Sequence, residues 1–490
     1  MLPNTLPQQE TKPVIQFDPK KSSYEKKENS IDALLRAVEP IDFYKSCKSL
    51  GWIPSTDCEG KEKPPLQRHI KIAIVRELIK LAERNDWQLC MNEGHSYLYN
   101  SQLWLSLDPA ELENLLTKVA IRQGYSEIEA SDAVFTNKLT DQFYKACFFS
   151  RRQFEKRSMI NLANGTLVLG ESGPRIKGFD SEDFLTHQLP FEYDKAATNE
   201  LFLKYLDEVL PDKYTQRTLQ EISGYFFIKG LKLEKIFFLY GSGSNGKSVF
   251  FEVIQGVLGR ENVSNYSIES LTDNNGYYRA QIKDKILNYG TDVKLTRIDS
   301  GKFKTLASNE PIEARFPYGR PFTISDYAKL IFNVNKLDVA NLEYSYGFSR
   351  RLLIVPFSQT IHEDAQDKRL HDRILENPAG VLNWMIEGAE RVLKNESIFE
   401  SQECKKSKSR FLTDADSVAL FVEGDRYSKS TTGKISLKLL YSGYKEFCMD
   451  DGYRPLGKKN FSERLEGLGF IKLFDRNHQA MFDICQNHLS

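Results

Sequence analysis

At 490 residues the chain is too long for one hydrophobic core, and at ~100–200 residues per domain it points to about three. Lysine plus arginine and aspartate plus glutamate balance at 67 each, so any nucleic-acid contact must come from local basic patches and not from a positive whole. No apolar run approaches the ~18 residues of a membrane span and no basic-then-apolar leader opens the chain, which predicts a cytoplasmic protein without a membrane partner.

The seven cysteines are scattered and lack a C-x-x-C pair, so neither a disulfide framework nor a zinc site is expected, and most should be buried thiols. Residues 1–30, rich in Pro, Lys, Glu and Ser, have the composition of a disordered leader. From 31 to 195 the pattern is mainly helical: IKIAIVRELIKLAERNDW repeats apolar residues at helical spacing, and Asp108-Pro109 reads as an N-cap and first-turn pair. NLANGTLVLG (161–170) reads as a hairpin with an Asn-Gly turn. A second helical block, NELFLKYLDEVL and RTLQEISGYFFI, runs into the strand-like Ile236–Tyr240.

That strand meets Gly241-Ser242-Gly243-Ser244-Asn245-Gly246-Lys247-Ser248, which fits G-x-x-x-x-G-K-[ST]. Glycines let successive backbone N–H groups turn around the β and γ phosphates, Lys247 neutralises charge and the Ser248 hydroxyl takes Mg²⁺. Val249, Phe250, Val253, Ile254, Val257 and Leu258 then recur on one helical face, which puts the phosphates at a helix N-terminus. ATP or another nucleoside triphosphate is the expected ligand.

KILNYGTDV (285–293) ends on Asp292, where a phosphoryl-transfer site needs a carboxylate for Mg²⁺ or the attacking water. A surface aspartate at a strand end is the alternative. KLIFNVN (329–335) places Asn335 at a strand end to position water against the γ-phosphate, with Asn333 the less favoured choice. GFSRRLLIVPF (347–357) sets Arg350 and Arg351 before a third apolar strand, within reach of a neighbouring subunit's nucleotide, although adjacent arginines also mark solvated strand starts.

In this order the pieces resemble the superfamily 3 helicases, in particular the helicase part of phage and plasmid primase-helicases related to the poxvirus replicative ATPase. The resemblance rests on INLANGTLVL, THQLPFEYDKAA, LQEISGYFFIKG, GSGSNGKS, LNYGTDV, FKTLASNEPIEARF, the Asn335 strand, SRRLLIVPF and GVLNWMIEGAERVL, and so spans most of residues 90–490. It implies an α/β chain: a helical N-terminal domain, an AAA+-type P-loop ATPase core with a parallel sheet over 196–395, and a C-terminal winged helix. It implies ATP and Mg²⁺ as cofactors, Ser248 and Asp292 as metal ligands, Asn335 as the sensor asparagine, and Arg350 and Arg351 as the pair holding the finger for the next subunit. Many family members carry Glu where this chain has Asp292, and a second adjacent acid is missing.

The family places a DNA-gripping hairpin between the acidic and sensor motifs, and IEARFPYGRPFTI (312–324) occupies that place. Arg315 and Arg320 would meet phosphates while Tyr318 stacks on a base, and Lys304 matches the preceding basic position. An ordinary solvated hairpin is the alternative. SQECKKSKSR reads as a linker, assigned to 396–410. Over 411–490, LKLLYSGYKEFCMD, KNFSERLEGL and GFIKLFDRNHQAMFDI give helix, helix and hairpin, the order of a winged helix, with Lys458, Lys459, Ser462 and Arg464 on or beside the second helix. A protein-docking domain with a solvated basic face is the alternative there.

No D-x-D pair with a partner His precedes the loop, so the chain reads as a helicase without its own primase, which a separate protein would supply. The expected activity is ATP-dependent unwinding by a ring, a hexamer acting 3′ to 5′ as the family does, on single- and double-stranded DNA of a phage, plasmid or integrated element. The alternatives are an origin-binding initiator whose ATPase only switches assembly, and a nucleotide-dependent remodeller of protein complexes.

Overall fold

The computed structural model describes residues 23–92, 94–147, 158–170, 173–291, 298–317, 319, 321–335, 346–362, 364, 366–414, 416–423, 427–430, 432–450, 453 and 455–486. Two compact units divide the chain between Tyr193 and Asp194.

In the first unit, helices Ser23–Ala37, Gln67–Arg84, Pro109–Arg122 and Ala133–Ala146 share a core of Leu34, Ile74, Leu78, Leu112, Leu116, Phe135 and Phe143. The expected start at Asp108 is a capping box: its carboxylate accepts from Glu111 N at 2.8 Å and the Glu111 carboxylate accepts from Asp108 N at 2.9 Å. Two expectations need correction. A helix begins at Ser23, inside the supposed leader, because Leu34 and Leu35 bury its far end while Lys26 lays its stem against the unit and Lys27 pairs with Glu111 at 2.6 Å. The unit is also less helical than its pattern suggests. Gln88–Asn92, His95–Tyr99 and Trp104–Leu107 form one antiparallel sheet, and Ser158–Leu162, Gly165–Leu169 and Arg175–Lys177 form another. The second sheet contains the hairpin expected at 161–170, whereas the four- and five-residue strands of the first are too short to show a period of two.

The second unit is built on five parallel strands: β1 (Ile236–Tyr240), β2 (Val263–Ser264), β3 (Leu287–Gly290), β4 (Lys329–Val334) and β5 (Leu352–Pro356). Their order is β5-β1-β4-β3-β2. A parallel sheet is covered on both faces, so its strands are continuous apolar runs such as IFFLY and LLIVP. One face packs Phe238, Phe332, Phe303, Leu306 and Ile354.

Helices α1 (Glu200–Val209) and α2 (Lys213–Tyr225) precede the sheet, α3 (Lys247–Leu258) follows β1, and α4 (Pro378–Asn395) and α5 (Gln402–Asp414) follow β5. Helices α2 and α4 cross at glycines: a Cβ on Gly224 would lie 2.1 Å from Ala389 N, and one on Gly388 2.1 Å from Gln220 O. Beside that crossing Glu221 is buried and accepts from Arg217 Nε at 2.9 Å, Arg391 Nε at 3.0 Å and the Phe399 amide at 2.7 Å. The stretch read as a linker at 396–410 runs into α5, which packs on β5. Cys404 and Phe411, seven residues apart, bury one side of that helix while Lys405 and Lys406 face water.

Beyond α5 a separate core of Phe421, Leu440, Tyr444, Phe461, Leu465 and Phe482 joins helices Ser417–Glu423, Leu437–Asp450 and Lys458–Gly467 to the hairpin of Lys472–Phe474 and Ala480–Phe482. Five of the seven cysteines are buried thiols, Cys58 being exposed and Cys485 partly so. Among the described residues no helix is long and apolar enough to cross a membrane.

Candidate phosphate-binding site

The loop 241–248 leaves β1 at the carboxyl edge of the sheet, where open α/β sheets hold ligands. Gly243, Ser244 and Gly246 all have positive φ (106°, 46° and 87°), which turns consecutive backbone N–H groups toward one side. Glycine is also forced by space, since a Cβ on Gly246 would lie 2.5 Å from Val209 Cγ1 and one on Gly241 2.4 Å from Phe357 O. The loop is tied to what surrounds it. Gly241 N donates to Val334 O (3.1 Å), Asn245 Nδ2 to Phe357 O (3.1 Å), Ile361 N to Ser244 O (2.7 Å) and the Tyr205 hydroxyl of α1 to Gly246 O (2.8 Å). Burial pushes the Tyr205 hydroxyl far above its ordinary pKa, so it stays a neutral donor.

Lys247, only 4% exposed, donates from Nζ to Gly241 O at 2.6 Å and Asn245 Oδ1 at 2.9 Å. Its amine is thus preset across the loop at the first residue of α3, beside the exposed Ser248 hydroxyl. Both residues line a cavity of about 730 Å³, together with Thr291 at the end of β3, Asn333 and Asn335. The lining also includes Lys204 and Glu208 of α1 with Gln366, Lys368 and Arg373. Preset lysine, inward N–H groups and a helix N-terminus make a cradle that fits a polyphosphate.

Asn335 is exposed at the cavity, as expected for the end of β4, and Asn333 lines it too. The hydroxyl of Tyr289, fully buried on β3 and edge-on to Phe251 of α3 at 4.8 Å, donates to Asn333 Oδ1 at 3.0 Å. That bond leaves the Asn333 amide NH₂ as a donor. Asp292, which follows Thr291 directly, lies outside the described residues.

Arg350 and Arg351 stand at the other edge of the sheet. Leu352 pairs with Ile236 and Pro356 with Tyr240, so the arginines lie beside the start of β1 while the loop leaves its end, a strand length of roughly 16 Å away. They do not converge on the cavity of their own chain. Arg350 donates to Glu234 Oε2 at 2.7 Å, and Arg351 donates to Ser308 Oγ at 3.0 Å and Gly347 O at 2.7 Å and pairs with the same Glu234 oxygen at 3.2 Å.

The segment at 312–324 does pair as a hairpin, Ile312–Ala314 against Phe322–Ile324, with Tyr318 and Arg320 outside the described residues. Arg315, just past Ala314 at the loop end of the paired strands, donates to the Tyr277 hydroxyl at 2.9 Å, and buried Arg279 braces the first strand through Glu313 O at 2.7 Å. Lys304 is half-buried on helix Ser300–Ala307. In the last helix Lys458 and Lys459 are exposed, but two neighbours turn inward. Ser462 is 3% exposed and donates to Glu466 at 3.3 Å, and Arg464 is paired with buried Asp416, so neither is presented for base contact as expected. Phe461 and Leu465 anchor the inward face of this helix in the core, with buried Ser462 beside them.

Tyr205, Tyr289 and Glu234 were not found by sequence reasoning. Each partners a residue found in a motif, but from 41 to more than 100 positions away, and only a polar residue inside an apolar strand or helix face hinted at the two tyrosines.

Three segments match known families. Residues 74–211 match the family described as "D5 N terminal like", 413–479 the one described as "Poxvirus D5 protein-like", and 239–351, which hold the loop from its strand onward, a family of unknown function (DUF5906). The two D5-like matches flank the loop-bearing segment and support a D5-like family for the chain. Among solved structures the chain is similar to the A form apo structure of the NrS-1 C terminal region, with 10% identity and a TM-score of 0.47 over 83% of this chain and 98% of that one. An apo structure of the same region gives 9% identity and a TM-score of 0.44 over 84% of this chain and 98% of that one.

Proposed function

We propose that the chain is an ATP-dependent DNA helicase of the D5-like primase-helicases, working as a ring of identical subunits, a hexamer moving 3′ to 5′, in the replication of a phage, plasmid or integrated element. The observation that carries this reading is the glycine loop with buried Lys247 at the carboxyl edge of a parallel sheet, opening on a large cavity, in a chain whose segments before and after the loop in sequence match D5-like families. The position of β4 between β1 and β3 supports an AAA+-type core.

In this reading the loop N–H groups and Lys247 hold the β and γ phosphates of ATP. Bound Mg²⁺, taken by Ser248 and Asp292, supplies further neutralisation of phosphate charge. Asn335, with Asn333 behind it, orients the attacking water. Arg350 and Arg351, turned away from their own cavity, serve a neighbouring copy. The hairpin 312–324 and the C-terminal helix–helix–hairpin, read as a winged helix, contact DNA. Lys458 and Lys459 are exposed, Lys459 paired with the exposed Glu463 at 3.9 Å, whereas Ser462 and Arg464 are committed inward, which favours backbone contact and unwinding over an initiator that reads origin bases.

Unwinding of a forked duplex, with ATP and without, tests the reading, alongside ATP hydrolysis with and without single-stranded DNA. Wild type should unwind only with ATP and hydrolyse faster on DNA. Lys247→Ala should lose ~10²-fold or more in hydrolysis while keeping its melting temperature. DNA-independent hydrolysis without unwinding would point to a remodeller of protein complexes, and tight origin binding without unwinding to an initiator.

A further inference from the structure

Glu234 lies just before β1, in no motif, and its backbone is held at φ 52°, a left-handed conformation that a glutamate adopts only where its surroundings impose it. The surroundings are the arginine pair. One carboxylate oxygen, Oε2, meets Arg350 at 2.7 Å and Arg351 at 3.2 Å. The backbones are clamped as well: Lys235 Nζ donates to Arg350 O at 2.7 Å and Ile236 N to Arg351 O at 2.8 Å.

The two guanidiniums are held to different degrees. Arg351, 11% exposed, has Ser308 and Gly347 as further acceptors, whereas Arg350 is 48% exposed and Glu234 itself 41%. A carboxylate that accessible can be displaced by a stronger anion.

We propose that Glu234 is a latch: it holds Arg350 and Arg351 on their own subunit until a triphosphate carried by a second copy of the chain takes its place. The proposal rests on the shared-site reading of the arginine pair given above. It assigns Glu234 a positioning role, since it acts through the arginines and touches no substrate. A carboxylate carries one negative charge and a nucleoside triphosphate several, so exchange is favourable when nucleotide arrives and reverses when it leaves. Because the pair is partly exposed, its competition is modest, and freeing the arginines should strengthen nucleotide-dependent association about threefold.

Sedimentation velocity over a range of protein concentrations, with and without a non-hydrolysable ATP analogue, measures this directly. The variants are Glu234→Gln, Glu234→Asp, the double Arg350→Ala/Arg351→Ala and the triple with Glu234→Gln, each first checked for an unchanged melting temperature. Glu234→Gln should lower the half-assembly concentration about threefold with analogue and not without it, and raise ATP turnover by a similar factor. Glu234→Asp, which keeps the charge, should behave as wild type, and the triple variant as the double. A Glu234→Gln midpoint equal to wild type, or a shift that persists without analogue or without the arginines, overturns the latch while nucleotide- and arginine-dependent assembly would still uphold the shared site. If wild-type assembly ignores nucleotide, or the double variant assembles and hydrolyses as wild type does, the shared site fails and the latch with it.

Discussion

Asn333 and Tyr289 show how a single residue in the site depends on one in the core. With its oxygen engaged by the tyrosine at 3.0 Å, Asn333 can present only its NH₂ group to the cavity it lines. Tyr289→Phe should therefore leave KM for ATP near wild type and lower kcat about tenfold, whereas Asn335→Ala alone should cost more if the exposed amide is the main water-orienting group; steady-state kinetics on both variants decides. Lys329 makes a prediction about pH. Burial, and then Lys229, lower its pKa to about 8 against the opposing pull of Asp326, while its amine sits 4.2 Å over the Tyr225 ring. The unfolded chain keeps that proton up to about pH 10.5, so between pH 8 and 10.5 it binds more protons than the folded chain and stability rises with pH; below pH 8 the cost of burying the charge is carried in full. Lys329→Met should remove the rise and stabilise the protein by roughly 2–3 kcal/mol at pH 7, read from denaturant midpoints across that window. At this scale the loop that carries Lys247 was legible because its glycines and lysine are contiguous in the chain. Tyr205 and Glu234 were not, because their partners are far along the chain.

Among the elements, β1 and β5 were the easiest to read, since burial on both faces leaves five apolar residues in a row in each. Helix α5 was misread because few of its residues reach the core, Cys404 and Phe411 being buried and Leu412 packed against it, and the lysines between Cys404 and Phe411 give the composition of a linker. The crossing of α2 and α4 shows what such packing demands. With Ala389 N and Met385 O both under 3 Å from a Cβ on Gly224, Gly224→Ala must part the two helices. A loss of about 3 kcal/mol or more is expected, seen as a lower denaturant midpoint, and Ser223→Ala should serve as a mild control. The loss should be compounded by strain on the Glu221 network, because Arg391 reaches Glu221 from α4.

For the whole molecule, the position of α5 decides where the chain can be cut. Phe411 belongs to the sheet core, whereas Val418, Phe421, Leu440 and Phe461 form a core of their own. Removing residues 417–490 should keep ATP hydrolysis within about twofold of wild type, while removing 411–490 should destabilise the sheet and abolish it; thermal melts and turnover on the two truncations check this. Lys458→Ala with Lys459→Ala in the full chain should weaken binding to all DNA sequences alike and reduce the salt slope by roughly one per lost phosphate contact, measured by titration at several salt concentrations.

What the sequence determined by itself is the glycine loop and the strands around it: a glycine pattern, a lysine, a serine and apolar runs, all local in the chain and each required by backbone geometry or burial. What only the tertiary structure decided is the orientation of those parts. Strand register set the arginine pair at the edge opposite the loop, helix phase turned Ser462 and Arg464 inward, and long-range hydrogen bonds gave Asn333 and Glu234 their partners. These depend on which residues meet across the fold, and a linear pattern carries the period of an element but not its register against a neighbour.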